Sequence, residues 1–317
     1  MKVALKKLNG SQNISEEYLN ELKIHWIISK KSRFNLYGLT KDPETKEFMM
    51  IIRFANKGDL RSSLLNNFNN IMWKDKIFLL YHLLADLGYL HELGFFHKDF
   101  HSRNILQIEN IPNSNNINSY ISDFGLSGPA NKQRSDDKVY GVMPYIAPEL
   151  FNNEPYTSSA DIYSVGMVMA ELSSGKPPFY NERHNSSLAL AIFNGLRPEF
   201  GKGTPEFYKK LAYKCMSANP NERPTARELG DIFYFWSESI DGKRGEKEEF
   251  GYKGKEIKAA FDEADKEIPN ISTSYEKNSD AIYTSRAFNF NISEESDEVN
   301  ESQLVKLGLA LEQLELS

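Results

Sequence analysis

Three short polar segments follow one another in the second quarter of the chain. They are His97-Lys98-Asp99-Phe100-His101-Ser102-Arg103-Asn104, then Asp123-Phe124-Gly125, then Ala147-Pro148-Glu149. Carboxylate and amide oxygens in such segments can bind hard cations, and a carboxylate can also accept a proton. Each segment alone is weak evidence for such chemistry, because Asp-Phe-Gly, for example, is by itself more typical of a turn. The order and spacing of the three segments are more informative than any one of them.

In order and approximate spacing, the three segments resemble the signatures of eukaryotic protein kinases. Further matches are Asp161, Ser164 and Gly166 in DIYSVG, the run Gly175–Phe179, and Arg223-Pro224. The resemblance covers about residues 2–236. It implies an α+β, bilobal fold, with an N-lobe over 1–54 and a mainly helical C-lobe over 57–236.

The resemblance also implies roles for individual residues. Asp99 would orient the acceptor hydroxyl and take its proton, and Asn104 and Asp123 would hold Mg²⁺. Phosphoryl transfer spreads negative charge over the phosphate oxygens, so positioned cations do most of the catalysis. Glu149 and Arg223 would form a buried ion pair in the larger lobe. ATP and Mg²⁺ are therefore the expected cofactors.

The N-terminal segment Val3-Ala4-Leu5-Lys6 matches the strand whose lysine contacts the ATP phosphates, and Glu21 stands where that lysine's partner belongs. The same resemblance places Ile52 at the gatekeeper position, and Arg53, Phe54 and Ala55 would form the hinge that offers backbone hydrogen bonds to adenine. We expect the residues that line the ATP site to be Lys6, Ala4, Ile52, Arg53, Ala55 and Leu106.

The two strands and the glycine-rich loop that should precede Val3 are absent from the sequence. We therefore expect the Lys6 strand to be a sheet edge and the cover over the phosphates to be missing. An incomplete gene model, or a fragment beginning at an internal methionine, is the favoured explanation. The alternative is a natural truncation, a catalytically impaired pseudokinase that acts as a binding scaffold.

The function implied is a protein kinase of intracellular signalling that transfers the ATP γ-phosphate to an unknown protein substrate. His101 replaces the lysine usual in serine/threonine kinases, while Arg103 is reminiscent of tyrosine kinases. The chain as a whole is similar to the tyrosine-kinase-like group, particularly its expanded fungal sets, so Ser/Thr is favoured and Tyr stays open. Ala147-Pro148-Glu149, Asp161 and Arg223 argue against a small-molecule phosphotransferase.

Composition excludes few functions. The net charge of −6 gives no nucleic-acid footprint, and no apolar run is long enough to span a membrane. A single cysteine, Cys215, fits a reducing compartment. We expect a cytoplasmic protein, with the nucleus not excluded, and neither nucleic-acid nor membrane partners.

The last part of the chain is acidic. Residues 238–317 carry 10 Lys+Arg against 19 Asp+Glu. We place the domain boundary after Trp236, which leaves 237–317 as a tail with two short helical candidates. One is the apolar stripe Ile257, Phe261, Ala264 and Ile268; the other is Leu304, Leu307, Leu311 and Leu314. Docking on the chain's own surface, or mobility, is favoured over a helix-mediated partner site.

Local patterns predict the elements that position these residues. Strands are expected at Lys2–Leu5, Asn35–Leu39 and Phe48–Phe54, with a helix near Ser15–Ile28 after the first strand. Apolar residues at three- and four-residue steps predict a long buried helix: Ile77, Leu80, Leu84, Leu87 and Leu90. The asparagine-rich region Gln107–Tyr120 is predicted to be an exposed loop.

Overall fold

The structure is a computed structural model that describes residues 2–8, 11, 16–31, 35–109, 117–128 and 138–289. Its N-terminal part is an antiparallel three-stranded sheet with one helix. The elements are β1 (Val3–Lys7), α1 (Glu16–Lys31), β2 (Leu36–Lys41) and β3 (Phe48–Arg53). The strand order is β1-β3-β2, so β1 is an edge strand within the described residues, as expected.

The remainder is mostly helical. Its helices are α2 (Leu60–Asn67), α3 (Trp73–Glu92), α4 (Ser158–Ser174), α5 (Ser186–Phe193), α6 (Glu206–Cys215), α7 (Ala226–Ile240) and α8 (Gly254–Glu267). Short antiparallel strand pairs join β4 (Ile105–Glu109) to β5 (Ile117–Ile121), β6 (Val139–Gly141) to β9 (Arg286–Phe288), and β7 (Glu248–Glu249) to β8 (Tyr252–Lys253). Single 3-10 turns include Ser102–Asn104, Met143–Tyr145 and Pro148–Asn152.

The core of the larger part is built on α3 and α4. The predicted apolar stripe of α3 is fully buried, and α7 packs against that helix. From Ala160 to Ser173, every residue of α4 is buried. Gly166 lets α4 approach α6 closely, because a Cβ there would lie 2.5 Å from Met216 Cγ. This rigid base carries the loops that hold the polar segments.

The prediction of a loop over Gln107–Tyr120 is wrong at both ends. Residues 105–109 and 117–121 pair as strands, with Gln107 opposite Ser119 and Leu106 opposite Tyr120. Ile108 and Tyr120 are buried against the N-terminal sheet. Burial of the apolar residues at the two ends favours strands there, despite the asparagine-rich composition of the region. Residues 110–116 lie outside the described part.

The acidic tail begins inside the packed core. α7 runs to Ile240, past the predicted boundary, and Ile257, Phe261, Ala264 and Ile268 are all buried. Phe261 packs against Trp73, Phe207 and Trp236. The boundary after Trp236 stays a prediction about the family domain, but the hydrophobic core extends past it to Tyr283. The leucine stripe 304–314 lies outside the described residues.

No helix among the described residues is both long and apolar enough to cross a lipid bilayer.

Candidate active site

Lys6 joins three distant parts of the chain. Its Nζ lies 2.6 Å from Glu21 Oε1 on α1 and 2.8 Å from Asp123 Oδ1, which is 117 residues away in sequence. Burial would lower the pKa of Lys6, but Asp123 and Glu21 outweigh burial and raise it. Lys6 is therefore a fixed cation at neutral pH, held between two carboxylates.

Asp123 occupies an uncommon backbone conformation. Its φ is 63°, in the left-handed region, and its side chain is half exposed. Burial alone would raise the pKa of the carboxyl, but the Lys6 ammonium outweighs that effect and lowers it. The strained backbone thus presents an ionised carboxylate beside Lys6.

The next residue, Phe124, anchors this strained position. Its ring is fully buried and packs edge-on against His25, with centroids 4.8 Å apart, and against His97 at 5.3 Å. Burial lowers the pKa of His25 to about 3 and also lowers that of His97, so both imidazoles are neutral. Phe124 therefore links α1 to the segment that carries Asp99.

The two carboxylate oxygens of Asp99 differ in their surroundings. Asn104 Nδ2 donates to the Asp99 carbonyl at 2.9 Å and to Oδ2 at 3.3 Å. Asp99 Oδ1 is buried and has no hydrogen bond within the described residues. An unsatisfied buried carboxylate oxygen is costly, so its presence suggests a place for a donor.

His101 lies against the other oxygen of Asp99. Its Nδ1 accepts the backbone N–H of Arg103 at 3.2 Å, which assigns the hydrogen of the neutral ring to Nε2. Nε2 is 3.5 Å from Asp99 Oδ2. The histidine thus turns its N–H towards Asp99.

Ser122 fixes Asn104 relative to Asp123. The backbone N–H and the hydroxyl of Ser122 donate to the Asn104 carbonyl, at 2.8 and 2.9 Å. Ser122 O in turn contacts His97 Nε2 at 3.1 Å. Three hydrogen bonds therefore tie the segment before Asp123 to the segment that carries Asp99 and Asn104.

Asp161 supports that segment from α4. Its fully buried carboxylate accepts the backbone N–H of His97 at 2.9 Å and of Lys98 at 3.0 Å. His91 Nε2 and the Tyr156 hydroxyl also contact it, at 2.8 and 2.7 Å. Burial would raise its pKa, but these partners lower it below the ordinary value. These contacts go beyond what an acidic residue in the first turn of α4 would make as a helix start.

Glu149 and Arg223 form a buried bidentate pair, with Nη1–Oε1 at 2.7 Å and Nη2–Oε2 at 2.6 Å. Arg223 also donates to the carbonyls of Ser159 and Ser217, at 2.9 Å each. The pair therefore ties the 3-10 turn at residues 148–152 to the segment that leads into α7.

The predicted adenine-side residues gather in one apolar cluster. Ala4, Ala55 and Leu106 pack around Ile52 and the buried Met50. Ala4 lies opposite Ile52 in the sheet. The Arg53 N–H donates to the Asn35 carbonyl at 3.0 Å, so that group serves the sheet rather than a ligand.

The donor set suits a magnesium nucleotide. Asp123 offers carboxylate oxygens, and Asn104 offers an amide oxygen that accepts no hydrogen bond among the described residues. Among the described residues, no group of three or more His, Cys, Asp or Glu side chains could hold a metal ion. A magnesium ion at this place would thus need phosphate and water oxygens as further ligands, as is common for Mg²⁺.

One polar network escaped the sequence analysis. Arg61 Nε donates to Glu171 and to Ser102 Oγ, and its Nη2 donates to the Tyr145 hydroxyl at 2.7 Å. The network fastens Ser102, two residues before Asn104, to α2 and α4. No motif marks these residues, because their spacing in sequence is irregular.

Comparison with known proteins decides the family. Residues 1–233 match the model for the protein tyrosine and serine/threonine kinase family. The chain belongs to the protein kinase family. The α+β, bilobal kinase fold expected from the motifs is confirmed, and kinases of this family generally use ATP and Mg²⁺.

Several relatives come from Dictyostelium discoideum. One, named "Probable serine/threonine-protein kinase", is 30% identical over 217 residues, covering 68% of this chain and 13% of the relative. A "Probable LIM domain-containing serine/threonine-protein kinase" is 27% identical over 249 residues, covering 76% and 37%. The "Dual specificity protein kinase splA" is 30% identical over 192 residues, covering 57% and 8%. This kinase chain thus spans a small part of the relatives that it matches.

Proposed function

We propose that this kinase transfers the γ-phosphoryl group of magnesium ATP to a protein hydroxyl, with Ser or Thr favoured. The preference draws support from relatives named as serine/threonine kinases, alongside one named as dual-specificity. Membership of the tyrosine-kinase-like group and a cytoplasmic or nuclear location remain predictions.

The observation that carries the proposal is the position of Lys6 between Glu21 and Asp123. Residues from the first strand, the first helix and the Asp-Phe-Gly segment meet within hydrogen-bond distance. In phosphoryl transfer such a lysine neutralises phosphate oxygens while its glutamate partner holds it in place. Asp123 and Asn104 would bind Mg²⁺ next to it, and bound magnesium would neutralise charge that develops on the phosphate oxygens.

Asp99 would act on the acceptor. Its free Oδ1 can accept the hydrogen bond of a substrate hydroxyl and then its proton. Asn104 and His101 both contact the other oxygen, Oδ2, so Oδ1 is the oxygen proposed to meet the acceptor. Asp161 holds the backbone of the preceding two residues, so Asp99 needs little reorganisation.

The adenine would lie against Ala4, Ile52, Ala55 and Leu106. Since the Arg53 N–H is engaged with Asn35 and the Ala55 carbonyl accepts the Gly58 N–H, the Arg53 carbonyl and the Ala55 N–H are the hinge groups proposed to contact the base. The apolar cluster behind them supplies a preformed wall for a flat ring.

A nucleotide thermal-shift measurement tests the proposal. Magnesium ATP should raise the melting temperature of the full chain, since saturation at about 100 times Kd adds about 2.7 kcal/mol. Asp123→Asn should weaken the magnesium-dependent part of the shift. Asp231→Asn, an exposed position on α7, is the matched control and should leave it unchanged.

Phosphate transfer to dephosphorylated casein, a general acceptor protein, provides the second readout. Transfer that is lost in Asp99→Asn and kept in Asp231→Asn supports the assigned base. A chain that shows neither a nucleotide shift nor transfer would instead favour a binding scaffold.

A further inference from the structure

The catalytic oxygen of Asp99 is covered by the chain itself. Asp99 Oδ1 is buried and accepts no hydrogen bond from the part of the chain that the structure describes. A hydroxyl oxygen is about as large as a water molecule, so an oxygen that water does not reach is closed to a substrate hydroxyl as well. A protein acceptor therefore requires a different arrangement of the residues around Oδ1.

The backbone of β6 lies against this oxygen. Gly141, the last residue of β6, has a φ of 145°, a conformation that favours glycine, and a Cβ added there would lie 3.6 Å from Asp99 Oδ1. Because a carbon–carbon bond is about 1.5 Å long, the Gly141 Cα lies within about 5 Å of Oδ1. That gap leaves no room on this side of Asp99 for an acceptor hydroxyl and the carbon that carries it.

The acidic tail holds β6 in this place. Among the described strands, β9 is the one that pairs with β6, with Arg286 opposite Gly141 and Phe288 opposite Val139. β6 belongs to the segment between Asp-Phe-Gly and Ala-Pro-Glu, and a strand pair fixes both backbones through its hydrogen bonds. The tail therefore fixes the residue that covers Asp99 Oδ1.

Two side chains on one face of β9 seat the strand, since side chains alternate along a strand. Arg286 Nη2 donates to the His184 carbonyl at 2.6 Å, and its guanidinium lies 4.8 Å from the centroid of the Phe288 ring. Phe288 in turn packs against the hydrophobic core. The position of β9 thus depends on one charged hydrogen bond and one apolar contact.

The residues before β9 anchor it to the loop after α4. Tyr283 is buried, its hydroxyl donates to the Pro178 carbonyl at 2.7 Å, and the Arg61 guanidinium lies 4.5 Å from its ring centroid. His184 Nδ1 contacts the Ile282 carbonyl at 2.9 Å. Because this anchor is only a few residues away in the same chain, β9 has a high effective concentration at the edge of β6.

We propose that β9 is an autoinhibitory latch: seated by Arg286 and Phe288, it holds β6 over Asp99 and closes the site to a protein acceptor. The proposal rests on the proposed kinase function. The latch acts on the acceptor side, because Lys6 and Ile52, which are proposed to contact the nucleotide, belong to the N-terminal sheet. Release of β9 should therefore change the use of the protein acceptor and leave nucleotide binding as it is.

Burial of the catalytic oxygen distinguishes a latch from a brace. A strand that braced β6 in a working position would leave Asp99 Oδ1 accessible to the acceptor. Here the paired β6 places Gly141 against that oxygen, so the order that β9 imposes keeps the acceptor out.

Casein phosphorylation by full-length variants tests the latch. The double variant Arg286→Ala with Phe288→Ala removes both seats of β9. We expect its kcat/KM for casein to rise at least about tenfold, because loss of a charged hydrogen bond shifts the equilibrium towards the open state by that factor. The KM for ATP should stay as in the wild type. Thr284→Ala, an exposed position just before β9, is the matched control and should behave as the wild type.

Hydrogen exchange at residues 139–141 follows the latch independently of activity. In the double variant these amides should exchange at least about tenfold faster than in the wild type, because β6 loses its strand partner more often. Thr284→Ala should leave their exchange unchanged. Unchanged exchange in the double variant would show that Arg286 and Phe288 do not seat the strand, which overturns the proposal.

The two readouts separate the latch from the kinase function. Faster exchange without a rise in casein phosphorylation, in a chain whose wild type phosphorylates casein, overturns the latch and leaves the kinase function standing. A fall in kcat/KM under the same conditions would identify β9 as a brace. Absence of casein phosphorylation in the wild type and in the double variant, despite faster exchange, overturns the proposed function and the latch with it.

Discussion

The Asp161 carboxylate accepts the backbone N–H of Lys98 at 3.0 Å, at a residue whose φ is 66°. A non-glycine residue in the left-handed region costs roughly 1 kcal/mol or more, so something must hold it there. Asp161 does so from a fully buried place on α4, and it binds the preceding N–H as well. Asp161 thereby fixes the backbone next to Asp99 to the buried helix α4.

Asp161→Asn should lower the free energy of unfolding by about 2–4 kcal/mol, because charged hydrogen bonds to a buried acceptor are lost. The new amide would also turn an N–H₂ group towards a backbone donor. Urea unfolding measures the change. Asp241→Asn, in an exposed pair with Lys74, should cost less than about 1 kcal/mol. Equal losses in the two variants would show that Asp161 has no special structural role.

Lys6→Met should reduce kcat/KM by about 10²–10³, the usual cost of removing one preorganised electrostatic donor. Lys7 is the matched control, because it is adjacent on β1 but pairs with Asp42 and Glu47 away from the site. Lys7→Met should change kcat/KM by less than about threefold. Comparable losses of kcat/KM in both variants would show that the substitutions disturb the sheet rather than remove a contact with the phosphates.

Arg223→Ala should cost about 3–5 kcal/mol of unfolding free energy, because it leaves Glu149 charged and buried without its partner. Glu149→Ala combined with Arg223→Ala should cost at least about 1 kcal/mol less than the sum of the two single changes. The exposed pair Lys255 and Glu246 gives the control cycle, which should be additive within about 0.5 kcal/mol. An additive result for Arg223 and Glu149 would contradict a coupled pair.

Motif order predicted the family, because short motifs in sequence order reflect a chain path that the fold requires. Local patterns predicted β1, α1, β2 and β3. The spacing of Lys6 and Glu21 anticipated their contact on adjacent elements. The resemblance placed Lys6 and Asp123 at one nucleotide site, but it did not predict the direct bond between them.

The features that sequence reasoning missed depend on tertiary contacts. β9 has three residues, too few for a periodicity, and it is ordered by pairing with β6 and by the Arg286 contact with His184. At Gln107–Tyr120 the asparagine-rich composition led to the wrong prediction of a loop, although both ends of the region pair as strands. Local pattern thus predicted α1, α3 and α8, but not the strands that exist only through a partner.

Phe261→Ala should destabilise the kinase by about 3–5 kcal/mol, because it opens a cavity between the tail and the core. The ring is buried against Trp73, Phe207 and Trp236. Phe250→Ala removes a half-exposed ring from the same part of the tail and should cost less than about 1 kcal/mol. Thermal unfolding compares the two. Similar small losses would show that the tail helix contributes little to the fold.

Lys76 on α3 gives the fold a predicted dependence on pH. Its ammonium is fully buried, has no hydrogen bond within the described residues, and lies over the rings of Phe68 and Trp73 at 4.2 and 4.8 Å. Burial lowers the pKa of Lys76 to about 7, an effect only partly offset by Asp265 and Asp75. Between pH 7 and the ordinary lysine pKa, the unfolded chain therefore binds more protons than the folded one.

Stability should consequently rise with pH in that window. Relative to Lys76→Met, the wild-type chain should gain about 2 kcal/mol of unfolding free energy between pH 7 and pH 9, measured by urea unfolding. Lys74→Met on the same helix removes an exposed lysine and should show no such gain. A constant difference between wild type and Lys76→Met across this range would mean that Lys76 keeps its proton in the folded kinase, held by the two aromatic rings and the neighbouring carboxylates.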